Sequence, residues 1–297
     1  YLLARKIKKI LRDLGWTEYL VWTYYFGSAG LVRNLKPVFS LYDCVDHHAG
    51  YPLTRGDEKS SRRIERDEED LLRTVDLTVV LSPANRIAKE KIASPIIHVP
   101  GGVEFSHFHR AAEDRLEIPE ELKKISGPVA GFIGSIRSYR FDAGLIERVA
   151  VAMPDLAIIL IGDYRHAEAA VIERLQGHAN IHLLGHRPYG SLPAYLQFFD
   201  LAVIPYPINP HTDYIYPLKY LECLAAGKPV VTTAIGGLRG ADFSRLLSIA
   251  ADGDEFIAAI KSCLRHDPPG EREKRIAFAR SHTWQKRAET ILEIIKR

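Results

Sequence analysis

Two side chains of opposite charge, Lys219 and Glu222, lie three positions apart in the stretch PLKYLECLAAGKPVVTT, residues 217–233. Apolar residues at helical spacing predict a helix over 215–226, and the β-branched run after it predicts a strand over 230–233. The spacing places both charged side chains on one face of that helix. A cation beside a carboxylate suits a phosphate and a pair of sugar hydroxyls, whereas a surface ion pair on an ordinary helix is the alternative interpretation.

A second set of candidate residues lies in GSIRSYRFD, residues 134–142, which follows a predicted strand. Backbone N–H groups at such a turn, just before a helix begins, favour a bound phosphate. Arg137 and Arg140 would add charge-assisted hydrogen bonds to a diphosphate. Two solvated arginines on a loop are the alternative.

The segment YDCVDHH, residues 42–48, places Asp46, His47 and other polar side chains at the end of a predicted strand. Aspartate and histidine are ligands for zinc or manganese, so a metal site is one interpretation. Polar residues that cap the end of a strand are another.

Strands and helices alternate through the second half of the chain, which predicts a parallel sheet covered by helices on both faces. Ligands bind such sheets beyond the carboxyl ends of the strands, where the loops 134–142 and 205–217 lie. The predicted strands are 129–133, 156–161, 181–184, 201–204, 230–233 and 247–250, and the predicted helices are 143–152, 167–175, 192–199 and 215–226.

The first half of the chain shows a similar but thinner pattern, and Pro100-Gly101-Gly102 predicts a link between two domains. The acidic run 65–70 on one predicted helix is typical of a solvated face. An amphipathic helix over 2–14 is basic, which suits either an anionic lipid surface or an ordinary solvated face. The predicted strands are 19–22, 38–42, 77–81 and 96–99, and the predicted helices are 2–14, 62–74 and one from residue 83.

Composition indicates an ordinary globular chain of 297 residues, with 46% hydrophobic and 26% charged content. No apolar run reaches the ~20 residues that a membrane-spanning helix requires. A formal net charge of +3 is too small to indicate nucleic-acid binding by itself. The three cysteines lack disulfide or metal spacing, which predicts a reducing, cytoplasmic setting.

The stretch that contains Glu222 and the following AAGKPVV resembles the signature of the group 1 GT-B glycosyltransferases, in its retaining type. Within that class, the YDCVD segment is similar to the teichuronic-acid type of bacterial glycosyltransferase. The resemblance implies an α/β chain with the GT-B fold, in which two Rossmann-like, doubly wound parallel-sheet domains face a cleft.

The resemblance also implies the domain bounds. The first, acceptor-side domain would comprise residues 1–102 together with the closing helix 284–297, and the nucleotide-sugar domain would comprise residues 103–283. Because residue 1 is a tyrosine inside a predicted helix, we expect the first domain to be incomplete at its amino terminus.

Several donor-binding residues follow from the resemblance. Glu222 would hold the ribose of the donor, while Lys219 and Arg140 would contact its diphosphate. An arginine commonly follows the loop glycine Gly134 in the family, and Ser135 stands there in this chain, so Arg137 is the candidate replacement.

The resemblance also implies roles for five further residues. Arg187 follows the glycine of the loop that meets the base in relatives. Many retaining members carry a glutamate against the donor sugar where this chain has Tyr214, and Asp213 would supply the carboxylate if the register slips by one residue. In the first domain, Asp46 or His47 would orient the acceptor or accept its proton.

The sequence therefore predicts a hexosyltransferase that moves a sugar from a nucleotide-diphosphate donor, expected to be a UDP-sugar. The acceptor would be a glycan or lipid-linked molecule of cell-surface polysaccharide synthesis, at the inner face of the membrane. No cofactor or metal is expected, since protein cations would neutralise the departing diphosphate, and no nucleic acid is expected as a partner. A non-catalytic binding subunit and a GT-B-type sugar-nucleotide epimerase are the alternatives.

Overall fold

The computed structural model describes residues 2–48, 58–93, 95–113, 115–165, 167–238 and 245–296. Its contacts divide the chain into two compact units. The first comprises Tyr1–Pro100 with the short segment Asp213–Tyr216, and the second comprises Gly101–Thr212 with Pro217–Arg297. The closing helix, which sequence analysis assigned to the first domain, is grouped by its contacts with the second unit, and the segment Asp213–Tyr216 is grouped with the first.

The first unit is built on a four-stranded parallel sheet whose strand order follows the chain. Its strands are β1 (Leu20–Thr23), β2 (Phe39–Cys44), β3 (Leu77–Val80) and β4 (Ile96–His98). Its helices are α1 (Leu2–Asp13), α2 (Ala29–Leu35), α3 (Glu58–Leu72) and α4 (Pro83–Lys89). Tyr42, Leu71 and Val80 are fully buried, so the core lies where β2 and β3 pack against α3.

The second unit is built on a six-stranded parallel sheet. Its strands are β5 (Val129–Ile133), β6 (Ala157–Ile161), β7 (Ile181–Gly185), β8 (Leu201–Ile204), β9 (Val230–Thr233) and β10 (Ser248–Ala250). Its helices are α5 (Phe105–Glu113), α6 (Ala143–Ala152), α7 (Ala169–Gln176), α8 (Leu192–Phe198), α9 (Lys219–Ala225), α10 (Gly253–Arg265), α11 (Glu271–Ser281) and α12 (Trp284–Ile295).

The strand order of the second sheet, β10-β9-β8-β5-β6-β7, reverses direction between β5 and β8. That order is doubly wound, and in such sheets a crevice opens at the reversal point beyond the carboxyl ends of the two strands. The loops that begin at Gly134, after β5, and at Pro205, after β8, therefore meet at the position where this architecture binds ligands. The α/β prediction of two Rossmann-like parallel-sheet domains is confirmed.

Most predicted elements are present with ends that differ by a few residues. The predicted helix 215–226 begins only at Lys219. The segment Asp213–Tyr216, just before it, is grouped with the first unit. Four of the described helices, α2, α5, α10 and α11, were not predicted. In α11 the apolar pattern is weak, since its buried residues are Arg275 and Ala279. In α10 the signal was present, with Asp252 capping the helix and Phe256 and Ile260 buried.

Candidate functional site

Close backbone packing shapes the loop after β5. The N–H of Gly134 donates to the carbonyl of Ile161, at 2.8 Å, which ties this loop to the end of β6. The next residue of that strand end, Gly162, has a φ of +152°, and a Cβ there would lie 1.7 Å from the Gly134 carbonyl oxygen. Only glycine fits at position 162, because any side chain would overlap backbone atoms.

Arg140 joins the two loops that meet at the reversal point of the sheet. Its Nε donates to Nε2 of His211, at 3.2 Å. His211 is fully buried, and its backbone N–H donates to the side chain of Asn209. The guanidinium of Arg140 is thus held by a fixed part of the 205–217 loop.

Lys219 and Glu222 form an ion pair in the first turn of α9, with Nζ 3.0 Å and 3.2 Å from the two carboxylate oxygens. The Glu222 side chain is 15% exposed. Burial raises the pKa of Glu222, and the Lys219 ammonium acts in the opposite direction. The carboxylate is therefore a shielded acceptor with one adjacent cation, as the spacing of three residues predicted.

Tyr206 connects these groups electrostatically. Burial raises its pKa to about 12, while the positive charge of Arg140 lowers it and the negative charge of Glu222 raises it. Both charges thus act on one buried hydroxyl. Arg140 lies in the loop after β5 and bonds to His211 in the loop after β8, and α9, with Lys219 and Glu222, follows that second loop. The three predicted residues therefore lie at the carboxyl-terminal end of the sheet.

Two aromatic residues near Glu222 were missed by sequence reasoning. His107, on α5, stacks on Tyr189 with ring centroids 4.5 Å apart, and the Tyr189 hydroxyl donates to Glu104 at 3.0 Å. The charge of Glu222 contributes to a raised pKa of Tyr189, after burial and Glu104. No spacing in the sequence links residues 107, 189 and 222, because tertiary packing alone brings them together.

Arg137 occupies a different environment from Arg140. It lines a cavity of about 280 Å³ together with Asp142, the start of α6 and part of α7. Its Nε is buried and has no hydrogen-bond partner in the ranges that the structure describes. Ser135 lies half-buried directly after Gly134. The loop therefore directs its two arginines to different neighbours.

Arg187 has several partners within the second unit. Its guanidinium pairs with Glu121 at 2.9 Å and donates to the Tyr195 hydroxyl at 2.9 Å and to the Leu184 carbonyl. These bonds fix the chain after β7, so the structure gives Arg187 an anchoring role there.

The candidate acceptor-side residues lie in the first unit. The N–H of His47 donates to Oδ1 of Asp46 at 2.9 Å, and the His47 ring lies 4.3 Å from the ring of Tyr214. The Tyr214 carbonyl accepts hydrogen bonds from Ser82 and Asn85. Asp213 and Tyr214 are thus grouped with Asp46 and His47, whereas Lys219 and Glu222 belong to the second unit.

Sequence analysis expected the acidic run 65–70 on α3 to be a solvated face, but one of its carboxylates is buried. Glu68 is 5% exposed and pairs with Lys89 at 2.6 Å. Its neighbours in the run, Glu69 and Asp70, are exposed, so one carboxylate of the run points inward. Among the described residues, no group of three or more His, Cys, Asp or Glu side chains is arranged to hold a metal ion.

Comparison with known proteins finds a family likeness in the second unit. Residues 127–266 match a family model described as Glycosyl transferases group 1. This stretch of the second unit is thus similar to the group 1 glycosyltransferases. The chain is 30% identical over 193 residues, 63% of its length, to TuaH of Bacillus subtilis, whose name refers to a glycosyltransferase of teichuronic acid biosynthesis. It is 24% identical over 66% of its length to a D-inositol 3-phosphate glycosyltransferase of Salinispora tropica.

The chain spans 47% of the length of TuaH and 45% of the Salinispora protein.

Solved structures share the fold over nearly all of this chain. An E. coli protein bound with UDP-2-fluoro glucose has a TM-score of 0.76 at 14% identity and is covered over 76% of its length. Anabaena HepE in complex with UDP and glucose has a TM-score of 0.70 at 15% identity, with 80% covered. The fold is GT-B.

Proposed function

We propose that this chain is part of a glycosyltransferase whose second unit binds a nucleotide-diphosphate sugar, with UDP as the nucleotide. The observation that carries the proposal is the placement of the Lys219–Glu222 pair and of Arg140, which bonds to His211 in the loop after β8, at the reversal point of the sheet. Relatives supply supporting evidence, since two solved structures of the same fold hold UDP or a UDP-sugar analogue.

The proposed chemistry divides between a carboxylate and two cations. Glu222 accepts hydrogen bonds from the ribose hydroxyls, and both of its oxygens lie within hydrogen-bond distance of the Lys219 ammonium. Lys219 and Arg140 stabilise the negative charge that develops on the diphosphate as it departs. Ser135 would present its backbone N–H to the same diphosphate, whereas the N–H of Gly134, also expected there, already donates to the carbonyl of Ile161. No metal is required in this proposal, because protein cations supply the positive charge.

We expect removal of Lys219 or Arg140 to weaken UDP binding far more than uridine binding. A charge-assisted hydrogen bond contributes about 1.5–3 kcal/mol, and uridine has no phosphate with which to form one. Isothermal titration calorimetry of UDP and uridine on Lys219→Met and Arg140→Met measures both. Arg148→Met is the matched control, since Arg148 pairs with Asp254 on the surface. Equal losses for UDP and uridine would make Lys219 and Arg140 scaffold residues.

The acceptor side of the proposed reaction uses Asp46 and His47, which would orient the acceptor hydroxyl or accept its proton. The Asp46 carboxylate accepts a hydrogen bond from the backbone N–H of His47, just after the end of β2. Tyr214, at the position of the family's donor-sugar glutamate, packs against His47 with the two rings tilted by 32°. This specific placement favours one alternative function, a non-catalytic subunit that binds nucleotide sugar.

Release of UDP from a panel of UDP-sugars, with and without EDTA, tests the proposed function. A glycosyltransferase is expected to show slow release with water as the acceptor, unchanged by EDTA. Binding without release, or without transfer to cell-envelope extracts, would support the binding subunit instead. Loss of release with EDTA would contradict the metal-free mechanism, and absence of nucleotide-sugar binding would overturn the proposal.

We further propose a lipid-linked or glycan acceptor of surface polysaccharide synthesis, with α1 lying on the inner surface of the membrane. The helix carries five cations, Arg5, Lys6, Lys8, Lys9 and Arg12. Its apolar residues Leu2, Leu3 and Ile10 are more than half exposed. No helix among the described residues is long and apolar enough to span a membrane, so contact would be peripheral.

Co-sedimentation with vesicles tests the membrane contact. Each cation near an anionic surface contributes roughly 1 kcal/mol, which salt screens. We expect strong binding to phosphatidylserine-containing vesicles, weak binding to phosphatidylcholine vesicles, and loss at high salt. Lys8→Glu/Lys9→Glu should abolish binding, while Lys123→Glu/Lys124→Glu makes the same charge change elsewhere and should have a smaller effect. Equal partition onto both vesicle types would contradict the proposal.

A further inference from the structure

The carboxyl end of α9, the helix that carries Lys219 and Glu222, is bonded to a histidine of α5. His109 is buried, and its Nδ1 lies 3.0 Å from the carbonyl oxygen of Ala225, the last residue of α9. Because a carbonyl oxygen can only accept, Nδ1 carries the proton of this bond. The bond satisfies one of the carbonyls that the end of a helix leaves without a partner inside the helix.

The peptide group that accepts from His109 is itself bonded to Glu222. The C=O of Ala225 and the N–H of Ala226 belong to one planar peptide unit. That N–H donates to the backbone carbonyl of Glu222 at 3.2 Å. Two hydrogen bonds and one rigid peptide unit therefore join the His109 ring to the backbone of the proposed ribose-binding residue, and hydrogen bonds in such a chain polarise one another.

Two further contacts fix the orientation of the His109 ring. Nε2 lies 2.8 Å from Oε1 of Glu113, one turn further along α5, and the ring of Phe105 stacks on His109 with centroids 4.6 Å apart. The Glu113 side chain is 67% exposed, so water can replace it, whereas Ala225 is fully buried and water does not reach its carbonyl. The geometry therefore favours the tautomer with the proton on Nδ1 whenever the ring is neutral.

The position of α9 depends on such contacts, because the helix has only seven residues. Isolated helices shorter than about 12–15 residues are marginal in water. A second contact lies just beyond the helix, where Nε of Arg275 donates to the carbonyl of Gly227 at 3.0 Å. Both contacts hold the carboxyl end of α9, while Lys219 and Glu222 form their ion pair in its first turn. Release of the carboxyl end would therefore allow that pair to move.

We propose that His109 is a positioning residue for Glu222, which it holds where the carboxylate meets the ribose hydroxyls of the donor. This inference rests on the proposed function and adds to the donor site a residue that acts through another. Because uridine and UDP share the ribose, loss of His109 should weaken both ligands alike. Lys219 and Arg140, in contrast, should affect UDP far more than uridine.

A double-mutant cycle measured by calorimetry tests this role. His109→Phe keeps a planar ring and removes the Nδ1 donor, so the affinities for UDP and for uridine should each fall about two- to tenfold, the effect of one lost hydrogen bond. In the Glu222→Ala background, the same change should cause no further loss, because the residue through which His109 acts is gone. Such coupling is expected within one hydrogen-bond network, whereas independent sites give additive losses.

Matched variants separate positioning from a general loss of stability. His109→Asn keeps a donor near the position of Nδ1 and should recover most of the affinity for UDP. Glu113→Gln alters the opposite side of the ring and should keep the parent affinity. Leu175→Ala removes a fully buried side chain of α7, which packs on the edge strand β7. This change should lower the thermal midpoint and leave the affinity for UDP unchanged.

A measurement on the parent chain examines the bond itself and does not depend on the folding of any His109→Phe variant. Long-range 1H–15N spectra at alkaline pH, where histidine rings are neutral, should show the proton of His109 on Nδ1, with the signals assigned by their loss in His109→Asn. A proton on Nε2 alone would overturn the positioning role. Parent affinity in His109→Phe, or a loss that persists in full beside Glu222→Ala, would overturn it as well.

Failure of the proposed function gives a different result. A parent chain that does not bind UDP would refute the donor site and this inference with it. A parent chain that binds UDP, with additive losses in the cycle, would refute the role of His109 alone.

Discussion

Replacing Glu222 by alanine is expected to weaken UDP binding by tenfold or more. Loss of a charged hydrogen-bond partner costs about 1.5–3 kcal/mol, and 1.4 kcal/mol is a factor of ten in affinity. The Glu222 side chain is largely buried in the first turn of α9, so water cannot readily replace the lost carboxylate. Calorimetry on the folded variant measures the loss directly.

Two comparisons sharpen this test. Glu222→Gln keeps the size and one acceptor oxygen, so its affinity should lie between those of the parent and the alanine variant. Burial raises the pKa of Glu222, so parent affinity should fall as the pH drops through that raised value and the carboxylate takes up a proton. An alanine variant with parent affinity for UDP would remove Glu222 from the site.

Replacing Gly162 by alanine is expected to destabilise the second unit by about 2 kcal/mol or more. The new Cβ would lie 1.7 Å from the carbonyl oxygen of Gly134, which is backbone and has no flexible end to move away. Relief requires the ends of β5 and β6 to separate, which would displace the loop that carries Arg140. UDP affinity should therefore fall together with the thermal midpoint.

Gly144→Ala is the matched control for that change. Gly144 lies in the second position of α6, and a Cβ there would meet only the Asp142 side chain at an ordinary 3.5 Å. Alanine in a helix is favoured over glycine by roughly 0.5–1 kcal/mol, so this variant should be as stable as the parent or more stable. Equal thermal midpoints for Gly162→Ala and Gly144→Ala would contradict the packing described at the strand ends.

The sheet of the second unit was predictable because its strands are short, apolar and separated by amphipathic segments, so β5 was located residue for residue. The order of the strands was not, since pairing between β5 and β8 depends on contacts distant in sequence. The helix α9 was extended too far toward its amino terminus. Apolar spacing through Ile215 resembles a helix turn, but Ile215 packs in the first unit.

The candidate site was predictable where its members share one element. Lys219 and Glu222 are paired by helical spacing, and the structure shows that pair. The bond between Arg140 and His211, which brings the loops after β5 and β8 together, could not be read from spacing, because the two residues lie 71 positions apart. Glu68 was hidden in an acidic run, where nothing distinguishes the one carboxylate that turns inward to meet Lys89.

The most direct test of the donor site is the footprint of UDP on the backbone amide resonances of the isotope-labelled chain. We expect the largest shifts in two segments, residues 134–140 and residues 219–222, with Gly162 and Tyr189 affected as neighbours. In Glu222→Ala the same footprint should require at least tenfold more UDP to reach half of its full shift, while the rest of the spectrum is retained. Absence of UDP-induced shifts, or shifts confined to residues away from the carboxyl ends of β5 and β8, would contradict the assignment of the second unit as the nucleotide-sugar-binding unit.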